Sequence, residues 1–275
     1  MRIPAEYHAT LTPIITDNRS RITVLTGAGI SAESGIPTFR GPEGYWTVGS
    51  KVYMPQEMAT LSMFRSRPEQ VWLWYLYRLG VCLHAKPNAG HLALAQLERR
   101  LGDRFTLITQ NIDNLHILAG NSLERTYQIH GNINYTRCSD GCTADLLPLA
   151  DELKQQWDGN GFSNAELELL HCPACGAWLR PHVLWFDEYY DETHCRFDSS
   201  ITTANETDLL LIVGTSGATT LPNIIASSVL NAGKTIIDVN IEENVFSMLA
   251  RQSRHGGFIR GSSVQILPEF ITLFT

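Results

Sequence analysis

The chain has 275 residues, 28 acidic against 21 basic side chains, a net charge of -7 and a pI near 5.7, with 44% apolar and 18% charged residues. These are ordinary globular values, with enough length for one large domain or a large and a small one. The acidic balance argues against a specific nucleic-acid or membrane partner, no apolar run reaches the roughly 18 residues that span a bilayer, and the first residues lack the apolar stretch of a signal peptide, so a cytoplasmic protein is expected, with other intracellular compartments open.

A helix is expected over residues 7–16. Ile22-Thr23-Val24-Leu25 is β-branched and apolar, as in a buried parallel strand, and Gly27, Ala28 and Gly29 follow as a tight turn. Glycines there let the chain turn sharply and bring bare amides near a ligand, while a helix from about Ile30 aims its N-terminal dipole at the same point, as suits a pyrophosphate. Gly35 stands six residues past Gly29, which breaks the dinucleotide spacing, and a plain strand-to-helix turn would produce the same letters. Pro37-Thr38-Phe39-Arg40 then places a rigid residue, a ring and a guanidinium where a loop could fold over a nucleotide.

The pattern turns helical over 56–80, and its densest aromatic run, 69–79, reads chiefly as core. Tyr75 and Arg78 share a helical face at i and i+3 and could together hold a carboxylate; a buried Tyr and a helix-end Arg would look the same. Asn88 is a plausible cap for the next helix, with His91 at its start as a structural residue. Phe105-Thr106-Leu107-Ile108-Thr109 reads as a strand whose carboxyl end carries Gln110, Asn111, Ile112 and Asp113, where ligands gather in a doubly wound sheet; capping of the following helix is the plainer alternative. A short strand over 127–131 ends in His130-Gly131, and a histidine at that edge is a natural general base for a sugar hydroxyl.

Of six cysteines, Cys138, Cys142, Cys172 and Cys175 form two close pairs, while Cys82 and Cys195 are isolated and expected to be buried. Four thiolates can hold Zn²⁺ tetrahedrally with no open position, so the metal is expected to be structural, with His171 an outside candidate for a ligand. Further strands are expected at 208–217, ending in Gly214, Thr215 and Ser216, and at 235–242, with Asn240 or Glu242 suited to a ribose. Gly261-Ser262-Ser263 is followed by what reads as an apolar strand.

Gly-Ala-Gly-x-Ser at 27–31 and Pro-x-Phe-Arg at 37–40 resemble the signature of the sirtuins, NAD-dependent protein lysine deacylases, and later motifs extend the resemblance over nearly the whole chain. The resemblance implies an α/β fold, a Rossmann-like parallel sheet (residues 1–45, 84–131 and 200–275) with a smaller discontinuous domain made of a helical insert (46–83) and a zinc-binding insert (132–199). It implies that NAD is consumed, with Gly27, Ala28, Gly29, Ser31, Phe39, Arg40, Gln110, Asn111, Ile112, Asp113, Gly214, Thr215, Ser216, Asn240, Glu242 and Ser262 around it, and that His130, Asn111 and Asp113 are catalytic. Residues 179–188 resemble the family's Arg-Pro-x-Val-x-x-Phe-Gly-Glu segment, from Arg180 to Glu188, which implies an extended strand that pairs with the substrate peptide, Val183 and Phe186 lining the acyl-lysine tunnel; Asp187 stands where the family usually has glycine. Tyr-x-x-Arg preceded by Ala59 is similar to the acyl pocket of the subgroup that removes succinyl, malonyl and glutaryl groups, with Ala59 leaving room, Arg78 pairing with the acyl carboxylate and Tyr75 adding a hydrogen bond. The expected activity is deacylation of protein lysines, favouring succinyl and malonyl over acetyl. The alternatives are a deacetylase, an ADP-ribosyltransferase or NAD glycohydrolase using the same pocket, and a binding module without turnover.

Overall fold

The computed structural model of the protein describes residues 3–38, 55–154 and 161–274. Among these, the strands are β1 (Ile22–Thr26), β2 (Phe105–Thr109), β3 (Thr126–Gln128), β4 (Gly131–Cys138), β5 (Leu147–Pro148), β6 (Leu179–Val183), β7 (Leu209–Val213), β8 (Thr235–Asn240) and β9 (Gly257–Arg260). Six of them form an all-parallel sheet in the order β3-β2-β1-β7-β8-β9, and β5-β4-β6 form a small antiparallel sheet.

Every residue of β1 and of β7 is buried, which follows from their unbroken apolar and threonine runs: a strand without a polar face must be covered on both sides. Helices Ala89–Leu101 and Ser263–Thr272 cover one face through Leu94, Leu97, Ile266 and Phe270. Helices Thr220–Asn231 and Val245–Gln252 cover the other through Leu221, Ile225 and Phe246. Tyr190 and Phe197 join this second face, although they precede the expected start of the sheet-bearing segment at 200. Between β1 and β7 the strand order reverses, and Thr26 lies level with both Thr109 and Val213, so three strands end flush at the place where such sheets bind ligands.

A separate core forms where helix Pro68–His84 meets the antiparallel sheet, with Trp72, Tyr75 and Leu76 against Ile133, Val183 and Trp185. Pro68 opens this helix at a position where no backbone donor is needed, and Trp72 Nε1 donates to the Leu179 carbonyl at 2.8 Å, fixing the helix on β6.

Three local expectations change. No α-helix starts at Ile30; the chain makes two 3₁₀ turns, Ala28–Ile30 and Ala32–Ser34, ending at Gly35 in the left-handed conformation (φ 87°). Gly29, Gly35 and Pro37 leave too short a run to propagate a helix. The apolar segment after Ser262 is the helix Ser263–Thr272, because Ile266, Leu267, Phe270 and Ile271 recur at the helical period and bury one stripe against Ala89–Leu101. The strand expected to reach 188 stops at Val183, and residues 185–188 turn, the Glu188 amide donating to the Trp185 carbonyl at 3.1 Å.

Candidate active site

The two glycine-bearing turns at the flush strand ends interlock. Gly27 and Gly29 donate to the carbonyls of Val213 and Gly214 at 3.1 and 2.8 Å. A Cβ on Gly29 would lie 2.7 Å from the Gly214 Cα, and one on Gly214, itself at φ 60°, would lie 2.6 Å from the Ile30 amide nitrogen. These glycines are therefore demanded by backbone contact between the turns. Their amides are engaged with the neighbouring turn, which corrects the expectation that they are bare for a phosphate.

Below the turns lies a buried polar network. Ser31, with no solvent exposure, donates to Asp113 Oδ2 at 2.6 Å and accepts from Asn111 Nδ2 at 3.1 Å, so it orients the two side chains expected to be catalytic. Burial raises the Asp113 pKa, with the Ser31 hydroxyl and the Leu115 amide opposing the shift. His91 accepts from the Asn88 amide through Nδ1 (3.3 Å), completing the cap of helix Ala89–Leu101, and its Nε2 faces Ser31 Oγ at 3.4 Å. His116 Nε2 meets Thr26 Oγ1 at 3.0 Å while its buried Nδ1 has no partner among the described residues. Burial lowers His91 to about 4 and His116 well below its ordinary value, since an added proton on either ring would be poorly paired.

Gln110 is the junction between this network and His130. Its side chain donates to Thr215 Oγ1 at 2.9 Å and accepts from Thr219 Oγ1 at 2.9 Å, bridging the ends of β2 and β7. Its carbonyl accepts from His130 Nδ1 at 3.0 Å, which leaves Nε2 as the lone-pair nitrogen. Burial lowers the His130 pKa to about 4, against the Gln110 carbonyl, so the ring is neutral at neutral pH. The Tyr190 hydroxyl donates to Nε2 at 2.8 Å, a partner that nothing in the local pattern around Tyr190 announces.

The remaining nucleotide candidates spread along β7, β8 and the last turn. Thr215 is buried and Ser216 exposed; Asn240 Nδ2 donates to the Thr215 carbonyl at 3.0 Å, bracing that turn, and Glu242 is exposed beyond the end of β8. Ile112 sits half-buried with its carbonyl bound by the Ile133 amide at 3.1 Å. Ser262 Oγ is buried without a hydrogen-bond partner among the described residues, an orphaned polar atom that fits a ligand contact at this edge. These donors, the neutral His130 and the interlocked turns suit an NAD molecule lying across the strand ends. Phe39 and Arg40 lie outside the described residues.

Ala59, Tyr75 and Val183 meet in one buried cluster with Trp185. Arg78 is 5% exposed, with its guanidinium 4.3 Å over the Trp74 ring. The Tyr75 hydroxyl accepts from Trp185 Nε1 at 2.9 Å, and burial pushes its pKa to about 12, so it stays a phenol beside the Arg78 charge. Phe186 does not join the cluster and is 56% exposed. Its amide bonds the Ala59 carbonyl at 3.0 Å, and the neighbouring Asp187 carboxylate accepts from the amides of Leu61 and Ser62 at 2.7 and 3.1 Å. Asp187 thus ties the segment after β6 to the first turn of helix Leu61–Ser66. Arg180 and Glu188 form a bidentate pair, with Arg180 also over the Trp185 ring at 3.5 Å, and this pair closes the turn that the motif's Arg and Glu bracket.

Cys138, Cys142, Cys172 and Cys175 bring their sulfurs within 4.8 Å of one another, with Cys138–Cys175 at 3.6 Å and Cys142–Cys172 at 3.5 Å. Four thiolates about 2.3 Å from a central ion are separated by distances of this order, so the set fits structural zinc and the longer first spacing does not prevent closure. His171 directs Nδ1 to the Leu167 carbonyl at 2.7 Å and is outside the set. Cys82 and Cys195 are buried apart from it.

A family profile described as the Sir2 family matches residues 27–220. The chain is 39% identical over 255 residues to an NAD-dependent protein deacylase of Leptospira interrogans serogroup Icterohaemorrhagiae serovar copenhageni, covering 93% of each. It is 36% identical to one of Pyrococcus furiosus, covering 92% of each. Among solved structures it is similar to a Sir2 homolog in complex with NAD (TM-score 0.77, 31% identity, 97% and 93% of the two chains) and to a Sir2–p53 peptide–NAD⁺ complex (TM-score 0.73, 25% identity, 96% of each).

Proposed function

The chain belongs to the Sir2 family and is an NAD-dependent protein lysine deacylase, and on that footing we propose that it favours lysines bearing short dicarboxylic acyl groups, succinyl or malonyl. The observation that carries the preference is the meeting of Ala59, Tyr75 and Val183 in one buried cluster, with the Arg78 guanidinium buried beside it. A guanidinium and a phenol on one helix face recognise a carboxylate by charge-assisted hydrogen bonding, which an acetyl group cannot use.

NAD supplies an anomeric carbon whose bond to nicotinamide breaks as the acyl oxygen takes its place. Asn111 and Asp113, held by Ser31, line the nicotinamide and ribose end of the cleft in this reading. His130 is the base: Gln110 anchors Nδ1, and Nε2 takes a ribose hydroxyl proton so that the acyl group passes to ADP-ribose. A ring that is neutral at neutral pH accepts this proton without first losing one. One water is consumed in releasing the lysine amine from the acyl carbon, and the products are free lysine, nicotinamide and O-acyl-ADP-ribose.

The test is mass spectrometry of products after incubation with NAD and matched succinyl-lysine and acetyl-lysine peptides. O-succinyl-ADP-ribose is expected to form faster than its acetyl counterpart. Equal rates would remove the dicarboxylate preference, and nicotinamide release without an acyl product would identify a glycohydrolase.

A further inference from the structure

His130 presents only one nitrogen to a substrate, and that nitrogen is already occupied by a protein hydroxyl. With Nδ1 bound to the Gln110 carbonyl, the Nε2 lone pair is the only basic site on the ring, and the Tyr190 O–H lies 2.8 Å from it. A ribose hydroxyl that gives its proton to Nε2 needs the same lone pair at the same distance. Two hydroxyls cannot both donate to it.

Tyr190 is held in this place by packing and by short anchors on either side. Its ring is half-buried, 5.8 Å from the His130 ring and 6.5 Å from Phe197, and packs against the second face of the parallel sheet. Burial pushes its pKa to about 12, so it remains a donor across the working range of pH. On its N-terminal side the chain is pinned by the Arg180–Glu188 pair, and on its C-terminal side Asp191 caps helix Glu192–Cys195, accepting from the His194 amide at 2.6 Å. Only Tyr189, 91% exposed, and Tyr190 connect these two fixed points. Residues 183–188, in which the resemblance places substrate contacts, therefore lead directly into the residue bonded to the His130 ring.

We propose that Tyr190 is a competing cap on the His130 base, whose hydroxyl must leave Nε2 before a ribose hydroxyl can bind there, and that it thereby sets how often acyl transfer follows nicotinamide release. This rests on the reading of His130 as the base. Nicotinamide release itself needs no proton on Nε2, so the cap acts on the later step alone.

The experiment compares acyl transfer with exchange of labelled nicotinamide into NAD, both with the full chain and an acyl-lysine peptide, for wild type, Tyr190→Phe and His130→Ala. Phe keeps the ring packing and removes only the hydroxyl. The ratio of acyl transfer to exchange is expected to rise about 5-fold in Tyr190→Phe, the factor corresponding to one net hydrogen bond. A purely structural tyrosine would change both rates together. With His130→Ala inactive in acyl transfer but competent in exchange, an unchanged or lowered ratio in Tyr190→Phe overturns the cap while leaving the base in place. Acyl transfer that persists in His130→Ala overturns the base reading and, with it, the cap.

Discussion

The two sides of the proposed cleft are made in opposite ways. The proposed nucleotide wall uses short polar side chains at strand ends, each tied to backbone or to another short side chain: Ser31 to Asp113, Gln110 to Thr215, Asn240 to the Thr215 carbonyl. The proposed acyl wall uses long side chains on one helix, held by rings: Arg78 over Trp74, Tyr75 against Trp185, Trp72 onto Leu179. Short tethered groups have little rotamer freedom to lose and keep one geometry, whereas a long guanidinium is held only as well as the rings around it. The first construction suits a fixed cosubstrate, and the second can be retuned by changing one or two helical residues.

Acid should have the largest effect on the fold. Burial lowers His91 and His130 to about 4 and His116 well below its ordinary value, so below the unfolded value near 6.5 the unfolded chain binds protons that the native chain does not. Their contribution is fully present above pH 6.5 and is lost as pH falls, by about 1.4 kcal/mol for each of His91 and His130 at pH 5.5, with the raised Asp113 opposing part of it. Urea unfolding measured from pH 7.5 to 5 is expected to show this fall, steeper than in a variant with His116 replaced by Asn. A pH-independent midpoint would mean that these histidines titrate normally.

On the acyl wall, Arg78→Met should lower kcat/KM on succinyl-lysine relative to acetyl-lysine by about 10- to 100-fold, the value of a charge-assisted pair. Equal losses on both peptides would assign Arg78 to packing alone. The smallest effect is expected where the walls' supports meet: Asp187→Ala removes two amide bonds at the start of helix Leu61–Ser66 and should cost about 1 kcal/mol of stability, read by thermal unfolding. A raised Tm would show that the carboxylate is a burden at this position.

The polar cluster at the strand ends was legible because its residues sit beside their own strands. Gln110, Asn111, Asp113 and His130 follow β2 and β3 directly, so a strand assignment places them, and the cysteine pairs declare themselves by spacing alone. What was hidden depends on partners far along the chain. Trp185 meets Tyr75, Tyr190 meets His130 and Asp187 meets Leu61 across sequence gaps that no local pattern spans. The segment 263–272 was misread because its apolar residues fit a short strand as readily as one helical stripe until the facing helix is known. The glycine turn was read for its freedom near a ligand, while the deciding factor was the approach of Gly214 from the other half of the chain.

That approach also orders events during synthesis. Gly29 is made early and Gly214 late, yet each supplies the surface against which the other turn closes, and β1 gains its neighbour β7 only after most of the polypeptide has emerged. A nascent chain ending before residue 209 lacks half the seat, whatever else has folded. Cosubstrate binding is therefore expected to arrive as a single late step in biogenesis, after which the assembled seat draws the folding equilibrium forward in proportion to the cell's supply of NAD.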